Sequence, residues 1–364
     1  MSTSKLLSRY IIKQFLLSFF AVMLTLGFIT FLFDVIDLMK RESDSSFEFS
    51  KMLLMALLKM PNMMLTVLPF GVLIGAIIVF WRLTKSSELV IIRASGQSVW
   101  QFTTPLLISA FLIGTIAVTV FNPFAAAMYG RFQLMDDDRR GQPHISADSQ
   151  ELWLREHRDG KMYVLHADGL RQKEYELSLR GVTVFVLSEK NDFLQRIDAR
   201  IALLDQDFFT LKDAQLFESG VLSTLPDDYK LPTELTLGKI QENFASPDTI
   251  SFWDLPKLIS FFESSGFSAH THRLKFQSLL VMPFLLITMV LIATVFSVDP
   301  NQRRGGGALK VTAAIACGFL LYFMTKITYA MGFAASLPIS FATWSPPAIF
   351  TLLSVSLLLH REDG

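Results

Sequence analysis

Apolar residues run almost unbroken over six stretches of the chain, at about 14–36, 59–81, 101–121, 277–298, 309–333 and 339–359. A bilayer core about 30 Å thick needs about 20 mostly apolar residues per helix, so each stretch predicts one membrane span. Between the third and fourth the pattern changes. Over 161–167, 177–188, 193–204, 208–217 and 229–237, Val, Ile, Phe and Tyr alternate with polar residues at a period near two. Gly160, Gly169, Gly181 and Gly220 lie between or near these runs, beside Asp-rich turns. The alternation predicts strands. Five or more short strands without a helical crossover predict an antiparallel sandwich, a jelly roll or a partly open barrel. Residues 254–265 return to helical spacing and predict a short amphipathic helix, ended by Gly266, that leads back to the membrane.

Composition agrees: 51% of the 364 residues are hydrophobic, and the mean hydropathy of +0.41 is too high for an ordinary soluble domain. The net charge of zero conceals an asymmetry. Residues 122–272 hold 16 Lys/Arg and 24 Asp/Glu, a balance of −8, and the remainder holds 17 and 9, a balance of +8. The acidic part reads as a solvated domain and the basic part as flanks of lipid. The short segments on one side carry Lys5, Arg9, Lys13, Arg82, Lys85, Arg93, Arg303, Arg304, Lys310 and Arg361, ten cations. Those on the other carry Lys40, Arg41, Lys51 and Lys59, four. The positive-inside bias therefore puts both termini in the cytoplasm and the strand-rich domain outside. Trp81 and Trp100 fall at the expected cytoplasmic interface and Trp344 near the outer one, where amphipathic rings belong. The first apolar run, Phe15 to Phe33, is longer than a signal-peptide core and no small-residue cleavage site follows, so it is expected to stay as a span. The single cysteine, Cys317, excludes a disulfide within the chain.

Catalytic patterns are missing from the sequence: there is no G-x-x-x-x-G-K-[ST], no H-E-x-x-H and no G-x-S-x-G. Arg303-Arg304-Gly305-Gly306-Gly307 resembles a phosphate cradle only superficially and reads as a basic cytoplasmic turn. Of the histidines only His270 and His272 lie close together, and two residues do not define a metal site. No cofactor, no metal and no nucleic-acid partner is expected. The informative stretch is the loop after the second span, Thr84 to Gly96. Ser86 is expected to cap a short helix with Glu88 in its first turn, and Gly96 to end it. The apolar run Leu89 to Ile92 then lies in the cytosol and must be buried, either under its own bundle or in a groove of a cytoplasmic partner.

Ser87-Glu88-Leu89-Val90 with Ala94-Ser95-Gly96 resembles the coupling segment of the lipopolysaccharide export permeases, the LptF/LptG family, and is nearer its LptG branch. Leu68-Pro69-Phe70-Gly71, Leu152-Trp153 and Ser264-Ser265-Gly266 fit the same order of elements over nearly the whole chain. The resemblance implies a polytopic α-helical membrane protein with six transmembrane helices, 3+3, and an inserted periplasmic all-β, jellyroll-like domain. Residues 1–121 would hold spans one to three with the coupling helix at 84–96, residues 122–270 the periplasmic domain, and residues 271–364 spans four to six. It also implies an LptF-type permease partner, a cytoplasmic ATPase dimer (LptB), LptC and the periplasmic bridge protein. By that resemblance Glu88, with Leu89, Ile92 and Arg93 around it, would contact the ATPase.

Charges at outer-leaflet depth complete the picture. Lys326 stands inside the fifth span, about 25 Å along it at about 1.5 Å per residue, where a lysine costs about 2.5–3.5 kcal/mol on the insertion scale. One reading pairs it with Asp34 or Asp37 or lets it snorkel. The other joins it to Lys40, Arg41, Lys59 and Arg131 as a cationic rim for the phosphates of lipopolysaccharide, and the resemblance favours Lys40 and Arg41 most. Prolines at 61, 69, 105, 283, 346 and 347 interrupt helix hydrogen bonding within the spans. The expected function is a permease subunit of an ATP-driven lipopolysaccharide exporter in the inner membrane, not itself an enzyme. The rivals are the sister LptF-type subunit and a non-transporting scaffold or sensor with a periplasmic binding domain.

Overall fold

The computed structural model describes every residue except 1, 41–48, 141–143, 149–150, 159, 174–175, 189–191, 206–207, 219–220, 227, 234–245, 265–267, 298–306 and 364. Among the described residues six helices are long and apolar enough to cross a membrane. The chain divides into two compact units, residues 1–125 with 273–364, and residues 126–272.

The helical unit begins with α1 (Ser2–Lys40) and α2 (Phe49–Lys85), which pack antiparallel: Phe19 lies against Gly75 and Met23 against Gly71. A short helix, α3 (Glu88–Ala94), leads into α4 (Val99–Ile116). After the inserted unit come α7 (His270–Ser297), α8 (Gly307–Phe333) and α9 (Ile339–Asp363). Phe15, Leu73, Phe80, Phe102, Leu106, Leu286 and Met289 are buried in one core drawn from α1, α2, α4 and α7. The spans are unequally covered: 72% of the α7 window is buried and 61% of the α2 window, against 22% for α1 and 17% for α8. The helices run through their internal prolines. Between α7 and α9 the hydroxyls of Thr288 and Thr351 meet at 2.7 Å, an interhelical bond worth about 0.6 kcal/mol in a membrane interior.

The third span outruns its expected end at 121. A π-helical turn at Ala117–Phe121 follows α4, and α5 (Asn122–Arg140) continues the helix. Pro123 reads as a breaker because it lacks an N–H and its ring crowds the carbonyl four residues back. The wider i→i+5 turn just before it relieves that clash, so the helix persists into a stretch expected to be β-rich.

Among the described residues the inserted unit holds one antiparallel sheet of nine strands: β1 (His144–Asp148), β2 (Glu151–Arg158), β3 (Lys161–Lys173), β4 (Glu176–Ser188), β5 (Phe193–Leu204), β6 (Phe208–Lys212), β7 (Gln215–Glu218), β8 (Val221–Thr224) and β9 (Tyr229–Pro232). Strands β1 to β6 pair in sequence order, and β9 pairs with β6. Besides β4, strand β5 serves two partners, β6 through Ile201–Leu204 and β7 through Gln195–Asp198. The expected single strand at 208–217 is therefore two, split where Asp213 takes φ 53. The strand expected over 229–237 ends at Pro232. In β4 the buried side chains are Leu177 and Leu179, then Val182, Val184 and Val186, so the inward face switches parity between 179 and 182. Pairing to β3 and β5 keeps its register across this point. Gly181, at φ 59, sits in the switch, and the sheet can thereby bury both of its faces in turn. The helix expected at 254–265 is α6 (Leu255–Ser264), whose Leu258 and Phe262 join the strand core; Gly266 lies outside the described residues.

Candidate functional site

Helix α3 is set up by an unusual turn. Ser87, not Ser86, occupies the N-cap position, at φ 60 and ψ 8, and makes no side-chain cap bond. The Ser86 hydroxyl instead donates back to the Arg82 carbonyl at the end of α2, at 3.0 Å. At the other end the Gly96 N–H donates to the Arg93 carbonyl at 3.0 Å, and Gly96 takes the left-handed φ of 81 that stops the helix. The apolar run splits along the helix. Leu89 and Ile92, 6% and 8% exposed, enter the core of the bundle, whereas Val90 and Ile91 are 66% and 67% exposed. Leu89 and Ile92 thus anchor α3 in the core of the helical unit. The face that α3 offers outward carries Val90 and Ile91, with Glu88 and Arg93 partly exposed on either side. The i,i+3 spacing of Leu89 and Ile92 was the signal for one buried stripe.

The charges expected to form an outer rim stand in different settings. Lys59 of α2 donates to Oδ1 of Asp34 on α1, and Asp34 is 4% exposed. Asp34 therefore pairs with Lys59 rather than Lys326, and Lys59 is committed to an intramolecular ion pair. The second carboxylate oxygen, Oδ2, is buried without a hydrogen-bond partner among the described residues. Lys326 lies over the Tyr322 ring, 5.4 Å from its centroid, with its side chain exposed on α8. Tyr322 in turn packs on Phe70 at 4.7 Å between ring centroids. Lys40 is exposed in the last turn of α1. Arg131 is exposed on α5, in the other compact unit. Arg41, like Arg303 and Arg304, lies outside the described residues.

The strand core is apolar. Leu165, Val184, Phe209 and Leu231 line a cavity of about 20 Å³ whose polar end is Glu156, bonded at 2.8 Å by the Thr233 hydroxyl. That is room for about one water. Strand β2, which carries Glu156, was missed because charged residues dilute its alternation, and the short β1 before it was missed as well; Trp153, 4.3 Å from the His166 ring, was the aromatic signal in that stretch.

Comparison with known proteins adds a family. The family model for the lipopolysaccharide export system permease LptF/LptG matches residues 9–360. Among curated proteins, the lipopolysaccharide export system permease protein LptG of Escherichia coli K12 is 25% identical over 379 residues, covering 98% of both chains. The LptG protein of Haemophilus influenzae is 22% identical over 373 residues, covering 98% of this chain and 99% of its own.

Proposed function

The chain belongs to the LptF/LptG family of lipopolysaccharide export permeases, and from that membership we propose that it is the LptG-type subunit of an ATP-driven exporter. It is a multi-pass membrane permease with an inserted β domain. Both termini would face the cytoplasm and residues 126–272 the periplasm, in line with the ten-to-four bias of Lys and Arg between the two sets of short segments. The chain carries no ATPase motif, so a separate cytoplasmic ATPase dimer of the LptB type would drive it. An LptF-type permease would complete the bundle against the poorly covered α1 and α8. LptC and the periplasmic bridge would receive the lipid beyond it.

The observation that carries the coupling is the division of α3. Leu89 and Ile92 fix the helix to the bundle, so a push on Glu88, Val90, Ile91 and Arg93 would be transmitted to α2 and α4 instead of being lost in a loose loop. On the opposite side, lipopolysaccharide would enter laterally and meet Lys40, Arg41 and Lys326, with Arg131 further on. Lys59 would act indirectly, by holding α1 to α2 through Asp34. The cavity beside Glu156, about 20 Å³, would have to widen before acyl chains could pass through it.

The test is co-purification and export with α3 variants. Glu88→Lys and Val90→Asp should each reduce retention of the ATPase and lipid-stimulated hydrolysis, because a misplaced charge at a docking face costs about 2–5 kcal/mol. Both proteins should reach the membrane at normal levels. Full ATPase association and normal export in both variants would reject the coupling reading.

A further inference from the structure

The sequence carries no Asp, Glu, Lys or Arg over 94–130 or over 276–298. Charge returns at Arg131 where the chain enters the β unit, and ends at Lys275 where it goes back to the spans. These two places are the crossings at which the chain leaves and re-enters lipid. Inside the unit, α6 reaches from one to the other. A Cβ built on Gly130 would stand 3.8 Å from the Thr249 Cβ, six residues before α6 begins. Near the far end of α6, the Phe262 ring meets the His272 ring edge-on at 4.9 Å. The faces of α6 are divided. Leu258 and Phe262 enter the strand core and Leu255 is fully buried. At about 100° per residue the opposite face carries Lys257 and Ser260, both exposed. Trp253 precedes Lys257 by four residues, falls on the same face and is 59% exposed. The turn into the helix is built to hold it there. The Leu255 N–H donates to the Ser251 carbonyl at 3.1 Å and the Asp254 N–H to the Ser251 hydroxyl at 3.2 Å. The Ser251 hydroxyl in turn donates to the Asp254 carboxylate, and the Phe252 ring packs edge-on against Trp253 at 5.3 Å.

We infer that Trp253 and Lys257 seat the β unit on the headgroup layer of the leaflet from which α5 and α7 emerge. The indole lies among the glycerol and first methylenes with its N–H toward water, and the Lys257 ammonium lies on lipid phosphates with its stem along the surface. Three observations select a lipid surface over a protein partner. Helix α6 starts and ends beside the two crossings, so it runs along the bilayer surface instead of away from it. The exposed pair is one tryptophan and one lysine, the residue types of an interfacial anchor. The apolar stripe that a protein groove would take is already occupied by the strand core. Because Leu258 and Phe262 tie α6 to the strands, the seat would fix the height of the sheet over the lipid. The inference rests on the membrane embedding of the helices and not on the ATPase reading, which the α3 variants test separately.

The test uses the full chain in nanodiscs of phosphatidylcholine and phosphatidylglycerol, read by tryptophan fluorescence. Subtracting the emission of Trp253→Phe from that of the wild type isolates Trp253 among the five tryptophans. Lipids brominated on the acyl chain should quench this difference signal, and more strongly when the bromines lie near the glycerol than near the chain end. Aqueous acrylamide should quench it severalfold less than it quenches a tryptophan placed on strand β8, by Leu222→Trp in the Trp253→Phe chain, where the native side chain is 63% exposed. Lys257→Glu should raise acrylamide quenching of Trp253 severalfold, because a carboxylate is repelled by the phosphates, and Lys257→Arg should leave it unchanged, which separates charge from misfolding. Acrylamide quenching equal to that of Leu222→Trp, with no bromine effect, would mean a solvated face and overturn the inference. Quenching by neither agent would mean a face covered by protein and overturn it as well. If Trp253→Phe fails to enter nanodiscs, a spin label on Lys257→Cys in a Cys317→Ser background gives the same reading. Its nitroxide should meet dissolved oxygen more readily than an aqueous nickel chelate, and the reverse order would reject the seat.

Discussion

At the scale of single residues, the Lys59–Asp34 pair decides how the outer charges are to be read. A buried ion pair contributes little net stability over apolar residues of similar size, but removing one partner leaves the other charged and unsolvated, at about 3–5 kcal/mol. Asp34 already has one carboxylate oxygen without a partner among the described residues, so losing Lys59 would remove the cation that its other oxygen holds. Lys59→Met should therefore lower the amount of folded protein in the membrane, and Asp34→Asn in the same chain should recover most of it. Recovery of neither level nor thermal stability in the double variant would mean that Lys59 acts elsewhere. Lys326 behaves independently, because its contact is an aromatic face and not a carboxylate. Lys326→Met should keep the protein folded yet reduce photocrosslinking to lipopolysaccharide roughly tenfold, the scale of a lost charge-assisted hydrogen bond. Neutralising Asp34 should not rescue it. The sequence contained both lysines and both aspartates, but partner choice depended on the register of two antiparallel helices 25 residues apart along the chain, which periodicity does not encode.

Elements were more legible than their ends. Long apolar runs specify a span because lipid leaves the backbone no partner except its own helix. That logic located the six spans without tertiary information. The ends of α1, α2 and the third span lie outside the apolar windows, where polar residues continue a helix that the hydropathy pattern does not mark. In α3 the helix around Glu88 was legible in the sequence, and only the packed structure divides Leu89 and Ile92 from Val90 and Ile91. Leu89→Ala should thus act differently from Val90→Asp. It leaves a cavity worth about 2–5 kcal/mol under a seven-residue helix, so protease sensitivity of the 84–96 loop should rise along with any loss of ATPase binding. In the sheet, Gly181 carries a comparable burden. A side chain there would need the left-handed φ and would meet the Asp168 carboxylate at 2.2 Å. Gly181→Val should destabilise the β domain by about 1–3 kcal/mol or more, seen as earlier proteolysis within 126–272 while the helical unit remains intact. Equal resistance of the variant and the wild type would show that the parity switch of β4 does not depend on this glycine.

For the whole molecule, orientation is the premise on which the separate sites acquire their meaning. By the cation bias α3 would lie on one side of the membrane and the strand-rich domain on the other, and six spans would return the chain to the side from which it started. A phosphate-bearing lipid would then meet Lys40 and Lys326 at the outer half of the bundle, while force from a soluble ATPase would arrive at α3 on the opposite face. Reversing the chain would place α3 where no nucleotide is available and would remove the reason for its exposed apolar pair. The single cysteine makes the arrangement directly measurable. With Cys317→Ser as background, one cysteine is introduced at Gly96 or at Asp168, and intact cells are treated with a thiol reagent that crosses only the outer membrane. Asp168→Cys should label in intact cells, and Gly96→Cys only after the inner membrane is permeabilised. A variant that adds two arginines to the short segment after the first span, Ser45→Arg with Ser46→Arg, should shift part of the population toward the reversed pattern, since short loops near span ends carry the orientation signal. Labelling of Gly96→Cys in intact cells, with Asp168→Cys protected, would invert the topology and with it the assignment of every site to its ligand.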